Sequence, residues 1–283
     1  MMSSLRPVTS PVMRYTAVVL LALLLAACAS SRREQGPELA RTAGWRWEIL
    51  HAGRFDLAAA SAPRAGTGTL VVYLEGDGFA YAHANQPSLD PTPIDPVGLR
   101  LALADPRQAA VAWLGRPCQY TRPEHQRNCA TAYWTTSRYA PEVVDSLGAA
   151  VDVLKERVGA GRVILVGYSG GGALAVLLAA RRPDVVEVVT VVADLDLGYW
   201  TARDGLTPLS GSLDPAEVAS SLGTIPQLHF TGGEDHTVGT DVVQAYMRHL
   251  PPGAPARLRE IPGFTHACCW ARDWPALAGE TIQ

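Results

Sequence analysis

Three residues of this 283-residue chain have the types and the order to perform acyl transfer together: Ser169, Asp235 and His266. A serine hydroxyl is a weak nucleophile at neutral pH. It needs a base to take its proton, an acid to orient that base, and N–H donors for the charge that develops on the attacked carbonyl oxygen. Ser169 stands in Gly167-Tyr168-Ser169-Gly170-Gly171, a G-x-S-x-G sequence. Asp235 follows 66 residues later, beside Gly232-Gly233, and His266 a further 31 residues on, after Pro262-Gly263. Each gap holds one or more strand–helix units and leaves no room for another domain.

The elements that must position these residues are legible around them. Val163-Ile164-Leu165-Val166 is a short apolar run without alternation, as in a strand buried on both faces. Gly172 to Ala180 is rich in alanine and leucine and predicts a helix stopped by Pro183. Between them the G-x-S-x-G sequence predicts a nucleophile elbow, a turn so tight that its serine takes a strained conformation. Further strands are expected over 69–74, 108–114, 185–192, 227–230 and 256–261, and an N-terminal antiparallel hairpin over 45–60. Helices are expected around 97–104, 141–158, 240–250 and 274–280. Pro141 and Glu142 suit the first turn of the second of these. Residues 197–225 read as irregular, with one short helix around 215–222, and are the only stretch left for a cap. Alternating strands and helices with short connections specify a mostly parallel central sheet with helices on both faces.

Other residues compete for the same roles. Asp194 and Asp196 follow the 185–192 strand and are alternative acids. His51, His83, His125 and His249 lie outside the loop that must carry the base, His229 falls inside a strand, and His236 is too close to Asp235 to be oriented by it. One oxyanion donor is expected from Gly170 N–H, directly after the nucleophile. The second is expected from Glu75-Gly76-Asp77-Gly78, after the first buried strand, with Asp77 N–H ahead of Gly78. Two carboxylates there would oppose an oxyanion unless they point away or are paired. A free carboxylate at this point would instead receive a cationic group. Tyr168, Trp134 and Trp200 are candidates for the pocket wall, with Glu75 and Gly78.

The N-terminus is set apart. Arg6 and Arg14 precede an apolar stretch, residues 18–27, too short to span a bilayer comfortably, and Leu25-Ala26-Ala27 leads directly into Cys28. This resembles a bacterial lipoprotein signal, which implies cleavage before Cys28 and lipid on that cysteine. Ala29 after it, rather than aspartate, implies the periplasmic face of the outer membrane. Residues 1–27 then form the signal, 28–44 a polar tether and 45–283 the folded domain. Removing Arg6 and Arg14 takes the net charge from −3 to −5, which gives no sign of nucleic-acid binding. Export places Cys118, Cys129, Cys268 and Cys269 in an oxidising compartment. Cys118 and Cys129 are expected to staple the polar loop between them. Cys268 and Cys269 either close a vicinal disulfide or remain thiols. No zinc-like ligand spacing is present, so no metal is expected.

From about Trp45 onward the chain resembles the α/β-hydrolase superfamily, and within it exported bacterial members of undefined substrate. The elbow, acid loop and histidine loop carry the resemblance; Glu75 departs from the histidine-glycine form common in lipases and esterases. The resemblance implies an α/β-hydrolase fold with a small lid or none. It also implies a serine hydrolase that cleaves a carboxylic ester through an acyl-enzyme, with water completing the cycle and no cofactor. Its substrate would be a small-molecule or lipid-like ester, met at the membrane through Cys28. A peptidase or amidase with the same triad, or a non-catalytic envelope lipoprotein using the fold as a scaffold, are the alternatives. Oligomeric state is not legible.

Overall fold

The computed structural model describes residues 32–63, 68–107 and 109–280. The signal segment, Cys28 and Gln108 lie outside these. A helix over residues 32–42 (α1) opens the described chain. An antiparallel hairpin follows, β1 (Arg46–Ala52) and β2 (Phe55–Ser61), turning at Gly53. Next come β3 (Thr69–Leu74), a small hairpin of β4 (Tyr81–His83) and β5 (Gln86–Pro87), α2 (Val97–Leu103) and β6 (Ala110–Leu114). Then follow α3 (Pro141–Arg157), β7 (Arg162–Tyr168), α4 (Gly170–Ala179) and β8 (Val185–Val191). The chain continues through α5 (Leu197–Asp204), α6 (Pro215–Val218), β9 (Gln227–Gly232), α7 (Thr240–Met247), β10 (Ala256–Ile261) and α8 (Trp270–Leu277).

Eight strands form one sheet in the order β1-β2-β6-β3-β7-β8-β9-β10. Every pairing from β6 to β10 is parallel, while β2 runs antiparallel to both its neighbours. The parallel strands β6, β3, β7, β8 and β9 are buried on both faces, whereas the edge strand β10 has no buried residue, and alternation along the inner strands divides the core in two. Leu70, Val72 and Leu74 of β3 face the layer holding α3, α4 and α7. Val71 and Tyr73 face the layer holding α2 and α8, with Trp113, Trp270 and Trp274. All ten residues of α4 are buried, so this helix has no solvent face. Its apolar composition, rather than an amphipathic stripe, is what such a central position requires. In α3, buried Val143, Val144, Leu147, Ala150, Val151 and Leu154 recur every three or four residues and face the sheet.

The structure departs from the sequence reading in two elements. Residues 32–42, expected within a polar tether, are helical and docked. The Gly36 face of α1 meets the ring of Trp47 so closely that a Cβ there would stand 2.7 Å from it, and Ala40, one turn on, is fully buried. The polar composition is the exposed face of a helix whose small residues fit against aromatic rings. The stretch read as irregular contains α5, which Asp196 caps by accepting from Tyr199 N–H and Gly205 ends in a left-handed conformation. Asp214 accepts from the N–H groups of both Leu197 and Ala216, tying the starts of α5 and α6 together.

Candidate active site

The site lies at the carboxyl ends of the parallel strands. Ser169 is the single residue between β7 and α4, with φ 50° and ψ −127°. A non-glycine residue rarely holds a positive φ, and the strain is sustained because strand and helix are both buried. Its N–H is anchored on Val191 O, 2.8 Å away. His266 Nε2 lies 3.1 Å from Ser169 Oγ, and His266 Nδ1 lies 2.9 Å from Asp235 Oδ2. The other oxygen of Asp235 accepts from Thr237 N–H and Val238 N–H at 2.8 and 3.1 Å. Burial raises the Asp235 pKa, but the bond to His266 and the two backbone donors outweigh it and leave the carboxyl below its ordinary range. Tyr168 O–H donates to the carbonyl of His266 at 3.1 Å, which fixes the histidine loop to the elbow.

The structure therefore brings together the three residues expected to act together. The competing acids have other partners. Asp196 caps α5, and Asp194 Oδ2 accepts from Tyr139 O–H at 2.7 Å. His229 is sealed inside β9 with Thr190, and burial alone lowers its pKa to about 3, so it stays neutral.

Gly170, as the first residue of α4, has an N–H with no carbonyl a turn earlier to receive it. The facing loop after β3 carries both carboxylates, and both are occupied. Glu75 is buried, with Oε1 accepting from Gly76 and Gly98 N–H and Oε2 from Leu99 N–H and Trp113 Nε1. Burial pushes its pKa up while these four donors pull against it. None of its bonding capacity is left for a ligand, so it serves as the anchor of the loop and of α2. Asp77 receives Arg116 Nη1 at 2.9 Å, Arg138 Nη1, and Tyr139 O–H. Burial raises its pKa, but the two guanidinium groups prevail and hold it below the ordinary range. Both acids are thus compensated, as an oxyanion nearby requires.

Arg116, Arg138 and Tyr139 were not found by sequence reasoning, and Asp194, weighed there only as an alternative acid, instead pairs with Tyr139. The signal was indirect: a carboxylate at Asp77, beside the expected oxyanion site, demands a counter-charge, but nothing local says which arginines supply it. Tyr139 O–H bridges Asp77 and Asp194, whose Oδ1 has no partner. Burial and the charge of Asp77 raise Asp194 to a pKa of about 7.

A cleft of about 420 Å³ opens above Ser169. Gly78, Phe79, Tyr81, Ile94, Tyr168, Trp200 and Val238 line it, together with the charged side chains of Arg138 and Asp194. Trp134 lies outside it, donating Nε1–H to Ser88 O at 3.2 Å. Cys118 and Cys129 are bonded, with Cα atoms 5.7 Å apart. Within that stapled loop Gln119 Nε2 donates to Gly76 O at 3.0 Å, so the staple supports the Glu75–Phe79 turn. Cys268 and Cys269 are bonded to each other. Among the described residues no group of three or more histidines, cysteines or acids is disposed to hold a metal ion.

Fold and site together define a serine hydrolase of the α/β-hydrolase class. More particularly, the chain belongs to the dienelactone hydrolase family, whose sequence pattern matches residues 112–273, more than half its length. The lipase LipV of Mycobacterium tuberculosis is 36% identical over 90 residues, which cover 30% of this chain and 34% of that lipase. The match thus spans about a third of that relative. The Pyrococcus furiosus esterase PF2001 superposes with a TM-score of 0.58 at 14% identity, covering 85% of this chain and 91% of its own. XC6422 of Xanthomonas campestris, described as an α/β serine hydrolase without a lid, superposes with a TM-score of 0.51 at 15% identity, over 83% and 90% of the two chains. At such identities these two likenesses are of fold.

Proposed function

We propose that this protein is an exported, lipid-anchored esterase that cleaves carboxylic esters through an acyl-enzyme. The observation that carries the reading is the continuous relay from Asp235 through both ring nitrogens of His266 to Ser169 Oγ, with bonds of 2.9 and 3.1 Å. Ser169 Oγ attacks the ester carbonyl as His266 Nε2 takes its proton. Asp235 stabilises the imidazolium that forms. The N–H groups of Gly170 and Asp77 receive the oxyanion. On collapse the C–O bond to the alcohol breaks, and His266 returns the proton to the departing oxygen. Water then attacks the acyl-Ser169 ester by the same route, releasing the acid and restoring the serine. Export and attachment through Cys28 rest on the Leu25-Ala26-Ala27-Cys28 sequence after a short apolar stretch.

The test is turnover of p-nitrophenyl butyrate together with labelling by a fluorophosphonate. Wild type is expected to do both and Ser169→Ala neither. A folded wild type that neither reacts with the probe nor exceeds the Ser169→Ala background rate would sink the proposal, in favour of a binding scaffold.

A further inference from the structure

The described chain enters the fold beside the mouth of the cleft. The Arg32 guanidinium lies 4.7 Å from the centre of the Phe79 ring, and Phe79 belongs to the cleft wall. Arg33 Nε makes an ion pair with Asp90 Oδ2 at 2.9 Å. Residues 79–80 and 88–91 are bonded to one another: Phe79 N–H donates to Pro91 O, and Ser88 N–H to Ala80 O. The start of α1 and the outer rim of the cleft are therefore one assembly. That rim carries Leu89, 99% exposed, and Ile94, 63% exposed, two of the five large apolar side chains left in water among the described residues. Leu89 sits between Ser88 and Asp90, both buried and bonded, so its exposure is imposed by a fixed backbone.

Four peptide steps separate Cys28 from Arg32. Even fully extended they span about 14 Å. With Cys28 in a bilayer surface, the rim at Phe79 cannot lie far from it, whatever path those residues take. A tether of 28–44 would have left orientation free; docking of α1 removes that freedom.

We propose that the cleft mouth faces the membrane, with Leu89 and Ile94 entering its interface, and that the substrate is an ester-bearing lipid drawn from the bilayer. The substrate half rests on the esterase reading above; the orientation does not. A lipid anchor combined with inserted apolar side chains is a two-signal attachment, tighter than either alone. The cleft suits an acyl chain: Phe79, Tyr81, Ile94, Trp200 and Val238 line it together with Ser169.

The experiment uses the full chain, processed by its own signal and reconstituted into vesicles of phosphatidylethanolamine and phosphatidylglycerol. Its comparison is a variant with about twenty Gly/Ser residues inserted after Ser30, a reach several times longer. Intact mass is expected to show lipid on Cys28. Amide exchange over 79–96 is expected to be at least fivefold slower on vesicles for the native leash than for the long one carrying Leu89→Asp. Turnover of a fluorogenic diacyl phosphoglyceride embedded in the vesicle should fall at least tenfold in that doubly altered protein, while soluble p-nitrophenyl butyrate turnover stays within twofold. Exchange over 79–96 that is indifferent to the vesicle, an unlipidated Cys28, or an unchanged ratio of embedded to soluble turnover each overturns the proposal. Protection without turnover of either ester removes the esterase reading and the lipid substrate, and upholds the orientation.

Discussion

Asp77 Oδ1 stands 2.2 Å from the point a Cβ on Gly170 would occupy. The carboxylate of one expected oxyanion-donor residue thus lies directly over the Cα of the other. The side chain of Asp77 is a spacer between the loop after β3 and the start of α4, and its two arginines keep it there.

Gly170→Ala cannot be accommodated without moving Asp77 or Tyr139, whose O–H lies 2.5 Å from the same point. Displacing the loop costs one oxyanion donor. The expected loss in kcat is about 100-fold, with KM little changed. Steady-state kinetics on p-nitrophenyl butyrate check this, and an unaffected kcat would show that the loop is not part of the oxyanion site.

Arg138→Met leaves Asp77 with Arg116 as its remaining guanidinium partner in a largely buried place. Breaking a buried pair from one side costs about 3 kcal/mol. Urea unfolding should register that loss. Double substitution with Asp77→Asn should cost less than the two single changes added together, because the partner charge is then gone as well.

Asp194 offers a pH signature. Its folded pKa is about 7, raised from an ordinary 3.8 by burial and by the charge of Asp77. Between those values the folded state binds more protons than the unfolded one, so this group lowers stability as pH rises from about 4 and completes its penalty above about 7. Asp194→Asn should therefore raise Tm by several degrees at pH 8.5 and change it little at pH 4. The amide carbonyl still accepts from Tyr139. Equal shifts at both pH values would show that Asp194 does not titrate in this window.

Replacing Cys118 and Cys129 by serine opens a loop of about a dozen residues. Loop-closure entropy for that length corresponds to about 3 kcal/mol of stability. Because Gln119 supports Gly76 from within this loop, kcat should fall along with stability. Unchanged kinetics in the folded double variant would separate the staple from the oxyanion loop.

The parallel strands, α3, α4 and the elbow could all be read from the chain because each announces itself locally. An unalternating apolar run is buried on both faces, and G-x-S-x-G between strand and helix leaves the backbone one solution. The order Ser169, Asp235, His266 was readable for the same reason: each follows a strand, and a parallel sheet gathers strand ends on one side. Residue 32 onward misread as tether, and residues 197–204 misread as irregular, share a cause. Their helices are stabilised by what they dock on, Trp47 and Tyr120 for α1 and Asp214 for α5, and those partners lie outside the helical segments themselves.

The sequence by itself determined that Ser169, Asp235 and His266 would meet at one end of the sheet, since each is set by residue type and by the strand it follows. Tertiary structure decided what the two carboxylates of the oxyanion loop do. Glu75 is spent on four N–H groups and Asp77 on Arg116, Arg138 and Tyr139. It also decided that α1 docks at the cleft rim, so residues 32–44, expected to belong to a tether, are part of the fold. Charge compensation and docking depend on distances between residues far apart in the chain, and only folding sets those distances.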